Sequence, residues 1–319
     1  MKAGLRAGDV VEVRTPDEIL ATVDADACTG ALPFMPEMLA FVGRRFTVSA
    51  VASKVCDTTI DGTGNRRFHD TVFLDDLRCD GSGHDGCQAG CLLMWRESWL
   101  RPVSHEADRA DGEDARPALE ARTRAATTHT REIDGRQVEA YRCQATELVA
   151  ASEPFPPGDR GRKYLHEVQC GNVGVGRFLR VLARAASRKL GRALGLRGQV
   201  PLSSPGPPAS GDPLGLRRGE LVRVKSKREI ARALDESGRN RGLSFDWEML
   251  PHCGRTYRVQ DRVERFIDEN TGTMIELKNE CLLLEGVVCS GDLSAGRWFC
   301  PRAIYPFWRE DWVERADRA

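Results

Sequence analysis

Eleven cysteines are spread over 319 residues, and eight of them fall into two sets of four. The first set is Cys56, Cys79, Cys87 and Cys91, the last three inside the glycine-rich run CDGSGHDGCQAGC. The second is Cys253, Cys281, Cys289 and Cys300. Four thiolates close a tetrahedral zinc shell or hold an iron–sulfur cluster. Gly81, Gly83, Gly86 and Gly90 free the first run to wrap an ion, and His84 offers a further ligand or orients a thiol. The spacings are C-x7-C-x3-C and C-x10-C, not paired C-x-x-C knuckles. The second set lies in apolar stretches such as ECLLLEGVVC, where a buried thiol competes with a second metal site. Two other chemistries use the same residues. Cys87 and Cys91, four apart, are candidates for a redox dithiol, and Cys87 with His84 as base is a candidate nucleophile. Cys143 is able to join either site, whereas Cys28 and Cys170 sit in polar, loop-like contexts.

The elements that position these residues occur twice. Residues 4–24, GLRAGDVVEVRTPDEILATVD, reappear at 215–235 as GLRRGELVRVKSKREIARALD, a displacement of 211 positions (215 against 4). The same displacement relates residues 32–48 to 243–259, and MWRESWL from Met94 matches FWREDWV from Phe307. The alignment pairs Cys79 with Cys289 and Cys87 with Cys300. Cys56 and Cys91 face Phe266 and Ile304, while Cys253 and Cys281 face Val42 and Thr71. Each copy opens on an alternating strand pattern. Thr15 with Glu18 then forms a capping box for a short helix, and further strands are separated by turn-rich runs, one around Gly62. The expected fold is mainly β (α+β): two homologous small antiparallel β-barrel or roll domains, SH3-like, over residues 1–103 and 215–319. Trp95, Trp99, Trp308 and Trp312 are expected to stack one side of a closing helix on each barrel. Glu37 and Glu248, and Glu97 and Glu310, recur in both copies and read as structural.

Residues 104–214 differ from both copies. The composition predicts a mobile stretch over 104–130, a strand over 137–148, a basic helix over 177–197 and a linker over 199–213 with five prolines. Arg177, Arg180, Arg184, Arg188 and Arg192 form a cationic stripe beside an apolar one of Leu179, Leu182, Ala186, Leu190 and Leu194. The simplest expectation packs the apolar stripe on a domain. The arginines would also suit an acidic partner such as a carrier protein, or anionic lipid. Basic patches interleaved with aromatics are missing, which argues against nucleic acid. Lysine and arginine total 47 against 47 acidic residues, so overall charge selects no partner. No stretch reads as a transmembrane segment or a signal peptide. The expected compartment is a reducing cytoplasm, where cysteines serve as thiols and ligands.

GDVVEVRTPDEILATVD, LPFMPEML, RCDGSGHDGCQAGC, YRCQATEL and KNECLLLEGVVCSGD with FCPRAIYPFWRE resemble a family of bacterial cysteine-rich, duplicated-domain proteins found near secondary-metabolite and carrier-protein genes. The resemblance implies a biosynthetic setting and assigns no activity. The expected function is thiolate metal binding, by zinc or an iron–sulfur cluster. The alternatives are an adaptor recruiting an acidic protein through the basic helix, and a thiol-dependent enzyme.

Overall fold

A computed structural model describes residues 4–59, 64–103, 115–155, 158–159, 161–193, 214–294 and 296–316. It is mainly β, with helices between curled antiparallel sheets. The chain divides into two units. Unit 1 is Met1–Val175 with Arg265–Ile275 and Ala295–Ala303; unit 2 is Gly176–Glu264, Glu276–Ser294 and Ile304–Ala319. The units therefore follow the copies only in part, because two segments of the second copy count with unit 1.

The main sheet of unit 1 is built from β1 (Val10–Val13), β2 (Arg45–Val51), β3 (Thr71–Arg78), β4 (Leu92–Arg96) and β5 (Leu100–Pro102), in the order β4-β3-β2-β1-β5. β2 alternates in the manner its sequence predicts, with Phe46 and Val48 buried between exposed neighbours. Register shifts between Val48 and Ala50, and again between Phe73 and Arg78, curl the sheet around its core. α1 (Pro16–Leu20) starts at the expected capping box, Thr15 with Glu18, and buries Ile19 beneath the sheet.

The second copy repeats this plan with β6 (Leu221–Val224), β7 (Thr256–Ile267), β8 (Met274–Leu284), β9 (Trp308–Arg309) and β10 (Val313–Arg315). Their order is β9-β8-β7-β6-β10, so every strand sits where its counterpart does. Val10 pairs with Thr47 and Leu221 with Arg258, both partners shifted by the same displacement as the sequence (221 against 10, 258 against 47). The cores repeat too. Phe34 meets Trp99 edge-on at 5.2 Å and 89°, and Phe245 meets Trp312 at 5.2 Å and 89°. These tryptophans are buried as expected, but no closing helix carries them. Trp95 and Trp308 lie on strands, and a 3-10 turn (Glu97–Trp99, Glu310–Trp312) turns the second tryptophan of each pair back into the core.

The middle segment is more ordered than its composition predicts. Arg116–Ala125 forms α2 and Thr128–Ile133 pairs with Arg136–Tyr141 as a hairpin, where mobility was expected over 104–130. The reason is Leu119, a sparse apolar residue that is fully buried in the unit 1 core. The strand expected over 137–148 stops at Tyr141 and continues as turns. α3 (Arg162–Gln169) follows, then α4 (Val175–Ala193), the basic helix. Residues 104–114, the turn at Gly62, the helix end beyond Ala193 and the linker over 199–213 lie outside the described residues. Among the described residues, no helix is long and apolar enough to cross a membrane.

Candidate metal centre

In unit 1 the glycine-rich run leaves β3 at Cys79 and returns to β4 after Cys91, and the Cys79 N–H donates to the Cys91 carbonyl at 2.9 Å to close it. Two glycines make the fold-back possible. Gly81 has φ +73, and a Cβ there would lie 2.1 Å from the Cys87 carbonyl oxygen. A Cβ on Gly83 would lie 2.9 Å from Pro36 Cγ and 3.1 Å from Glu37 Oε2. The loop is thereby pressed onto the 3-10 turn Pro36–Phe41, which carries Glu37.

That contact assembles Glu37, Cys79 and His84, whose ligand atoms all lie within 4.8 Å of one another. Glu37 Oε1 accepts from His84 Nδ1 at 2.7 Å, from the Gly83 N–H at 3.1 Å and from the Cys79 thiol at 3.5 Å. The Glu37 and His84 side chains are almost fully buried. His84 Nε2 sits 3.0 Å from the Arg142 carbonyl, supplied by the middle segment. With Nε2–H donating there, loss of the Nδ1 proton would aim the Nδ1 lone pair at the site, a common arrangement for a metal-bound imidazole. Glu37 Oε2 is buried with no hydrogen-bond partner.

The charges follow from these contacts. Burial pushes the Glu37 carboxyl up, but the His84 hydrogen bond and charge outweigh it and hold the carboxyl below its ordinary value. Burial pulls His84 down, and Glu37 outweighs that as well, so the imidazole is raised. Burial first and the Glu37 charge second drive the Cys79 thiol up, outweighing a backbone hydrogen bond at Gly81 that lowers it. Glu37 and His84 thus each favour the charged form of the other, and the Cys79 thiol donates to Glu37.

Comparison with unit 2 separates scaffold from site. Glu248 accepts from the Leu293 and Ser294 N–H groups, each at 2.7 Å, through Oε1, and from the Ser290 hydroxyl at 2.6 Å through Oε2. The aligned residues in unit 1 are Gly83, His84 and Asp80. Anchoring the loop by a backbone N–H is thus common to both copies. The imidazole and the unsatisfied carboxylate oxygen belong to unit 1. Glu37 was read from the sequence as purely structural because both copies carry it; the residues that change around it, Ser290 to Asp80 and Ser294 to His84, were the available signal.

The other nominated residues are distributed as follows. Among the described residues, Cys56, Cys87 and Cys91 do not join Cys79 in a cluster of that tightness. Cys91 and Cys143 are the thiols whose charge Cys79 feels. Burial pushes Cys91 up to about 12 and Cys143 up to about 11. Cys87 Sγ accepts from the Ile267 N–H at 3.4 Å. His84 spends both ring nitrogens on Glu37 and Arg142, which leaves neither for Cys87. The second set is divided. Cys253 and Cys281 pack in apolar clusters of unit 2, and the Cys289 N–H donates to Ile304 there at 2.8 Å. Cys300 belongs to unit 1 and contacts Cys56. The set of four draws on both units: Cys281 Sγ accepts from Arg309 Nη1 at 3.2 Å in unit 2, and Cys300 meets Cys56 in unit 1.

Along α4, Arg177 pairs with Asp292 at 2.9 Å, while Arg180 and Arg184 are exposed. The side chains of Arg188 and Arg192 lie outside the described residues. The apolar stripe is not packed as the sequence led us to expect: Leu179 and Leu190 are 59% and 60% exposed. Among the described side chains of α4, Val181, on another face, is the buried one.

Comparison with protein-family models, curated proteins and solved structures finds no match.

Proposed function

We propose that unit 1 binds a single zinc ion through Glu37 Oε2, Cys79 Sγ and His84 Nδ1, in a barrel of SH3-like type. The observation that carries this reading is the buried, unpartnered Glu37 oxygen beside a thiol and an imidazole. Buried polar atoms are nearly always paired, and one that is not calls for an ion or a role. The mixed oxygen, sulfur and nitrogen donors suit Zn²⁺ better than an iron–sulfur cluster, which is held mainly by thiolates. Three protein ligands leave a fourth position, for which Cys91 and Cys143 are the nearby thiols. A thiol ligand fits a reducing cytoplasm, and the bacterial biosynthetic setting implied by the resemblance is part of the proposal.

Zinc must displace the His84 proton and the Cys79 thiol proton, whereas Glu37 is already ionised. Titrating anaerobically purified apo-protein against a chromophoric zinc chelator is expected to give one site. Its affinity should fall by up to about 100-fold per pH unit of acidification, two protons being exchanged. A visible iron–sulfur spectrum, or the lack of any zinc binding at pH 8, overturns the reading.

The exposed leucines and arginines of α4 favour a second role, recruitment of an acidic protein such as a carrier protein. Arg180→Glu with Arg184→Glu is expected to weaken binding of a purified acidic carrier protein at least tenfold, with circular dichroism unchanged. Affinity insensitive to both charge reversal and salt removes that role.

A further inference from the structure

Unit 1 holds a pair of thiols that the metal centre does not use. Cys56, at the end of the strand Val55–Cys56, and Cys300, on the segment Ala295–Ala303, are both buried. The Cys56 N–H donates to Cys300 Sγ at 3.1 Å. Cations surround them. Lys54 is fully buried, 3.5 Å from Asn65 Oδ1 and 5.8 Å from the centre of the Tyr164 ring. Arg302 is also buried; it donates to the Cys56 carbonyl at 3.0 Å and pairs with Glu269 at 2.8 Å. Arg297 adds a third positive charge acting on Cys56, and the opposing carboxylates are Glu269 on Arg302 and the buried Glu167 on Lys54.

We propose that Cys56 and Cys300 are a peroxide-oxidisable dithiol, with Cys300 the attacking thiolate and Cys56 the resolving thiol. A buried lysine is costly unless anions accompany it, and a Cys300 thiolate joins the buried Glu167 carboxyl in acting on Lys54. Burial alone would push the Cys300 thiol up. Contact with Cys56, then Lys54 and Arg302, outweigh burial and hold it below its ordinary value. Cys56 moves the opposite way, raised by its bond to Cys300 and by burial. The opposite shifts make Cys300 the better nucleophile of the pair and Cys56 the better proton donor.

Hydrogen peroxide is the oxidant the site suits, being small and uncharged where the sulfurs are enclosed. The Cys300 thiolate attacks one peroxide oxygen and the O–O bond breaks. Hydroxide leaves and takes up a proton as water, and Cys300 becomes a sulfenic acid. Cys56 sulfur then attacks the Cys300 sulfur, the S–S bond forms, the S–O bond breaks, and a second water leaves with the Cys56 proton. Two thiols lose two electrons and the peroxide gains them. The bond would tie the Ala295–Ala303 segment to the strand ending at Cys56, both inside unit 1.

The test uses the zinc-loaded, full-length protein. A few equivalents of hydrogen peroxide, followed by proteolysis without reductant and mass spectrometry, are expected to give a Cys56–Cys300 peptide before any other cross-link, with zinc retained. In Cys56→Ser, dimedone should label Cys300; in Cys300→Ser, peroxide consumption should slow at least tenfold. Earlier cross-linking among Cys79, Cys87, Cys91 and Cys143 with zinc release overturns the assignment, and so does a folded Cys56→Ser protein in which Cys300 takes no dimedone. The cross-link map of the unmodified protein decides the matter even if a variant fails to fold.

Discussion

Replacing Cys79 by Ser or His84 by Ala is expected to lower bound zinc from about one equivalent to less than a tenth in the presence of a competing chelator. Each change removes a donor from a set of three, and affinity should fall well beyond the 10- to 100-fold typical of residues that only orient ligands. Glu37→Gln should do the same, because the amide keeps the shape and can still take up the Gly83 N–H but loses the anion. Glu248→Gln is the matched control. Glu248 accepts from Leu293, Ser294 and Ser290, so its loss should cost unit 2 about 1–3 kcal/mol through weakened donors and leave zinc untouched. Elemental analysis and thermal melts on the four variants separate the outcomes. Full zinc in both Cys79→Ser and His84→Ala, with loss in Cys91→Ser and Cys143→Ser, would move the site onto the other thiols and falsify the assignment made here.

Much of the scaffold was legible because it was written twice. The constant displacement between copies reappears as one strand order in two sheets and as equal Phe–Trp geometry. Capping boxes at Thr15 and Ser226 were readable for the same reason: both partners of each box lie within four residues. The site was half legible. The glycine run nominated Cys79 and His84, since ligands in one loop announce themselves by spacing. Glu37 comes from 42 positions earlier (79 against 37), and its recurrence as Glu248 disguised it. Cys300 was out of reach by alignment, which matched it to Cys87, because a partner 244 positions from Cys56 leaves no local pattern. Periodicity showed that α4 has an apolar stripe but carries no information on what covers it, and Leu179 and Leu190 turned out exposed. Composition misled over Arg116–Ala125, where one buried leucine, Leu119, docks a helix otherwise rich in charge and alanine.

Gly81→Ala and Gly86→Ala should have very different consequences although the two glycines share one backbone conformation. Gly81 has φ +73 and Gly86 φ +74, so alanine at either position bears the left-handed penalty of about 1–2 kcal/mol. At Gly86 nothing stands within 4 Å of the new methyl, and that penalty is the whole cost. A shift of roughly 2–8 °C in the melting temperature follows for a unit of this size, with zinc retained. At Gly81 the methyl would fall 2.1 Å from the Cys87 carbonyl oxygen and 2.7 Å from its nitrogen. Those atoms are backbone, so no side-chain rotation relieves the overlap; the loop must open. Opening it withdraws the Gly83 N–H and His84 from Glu37, and the metal ligands separate with the loop. Gly81→Ala is therefore expected to lose zinc and to melt more than about 10 °C below the parent protein, whereas Gly86→Ala keeps both. Equal melting temperatures and equal zinc content in the two variants would show that the chain from Cys79 to Cys87 does not press on Glu37, and the ligand geometry would go with it.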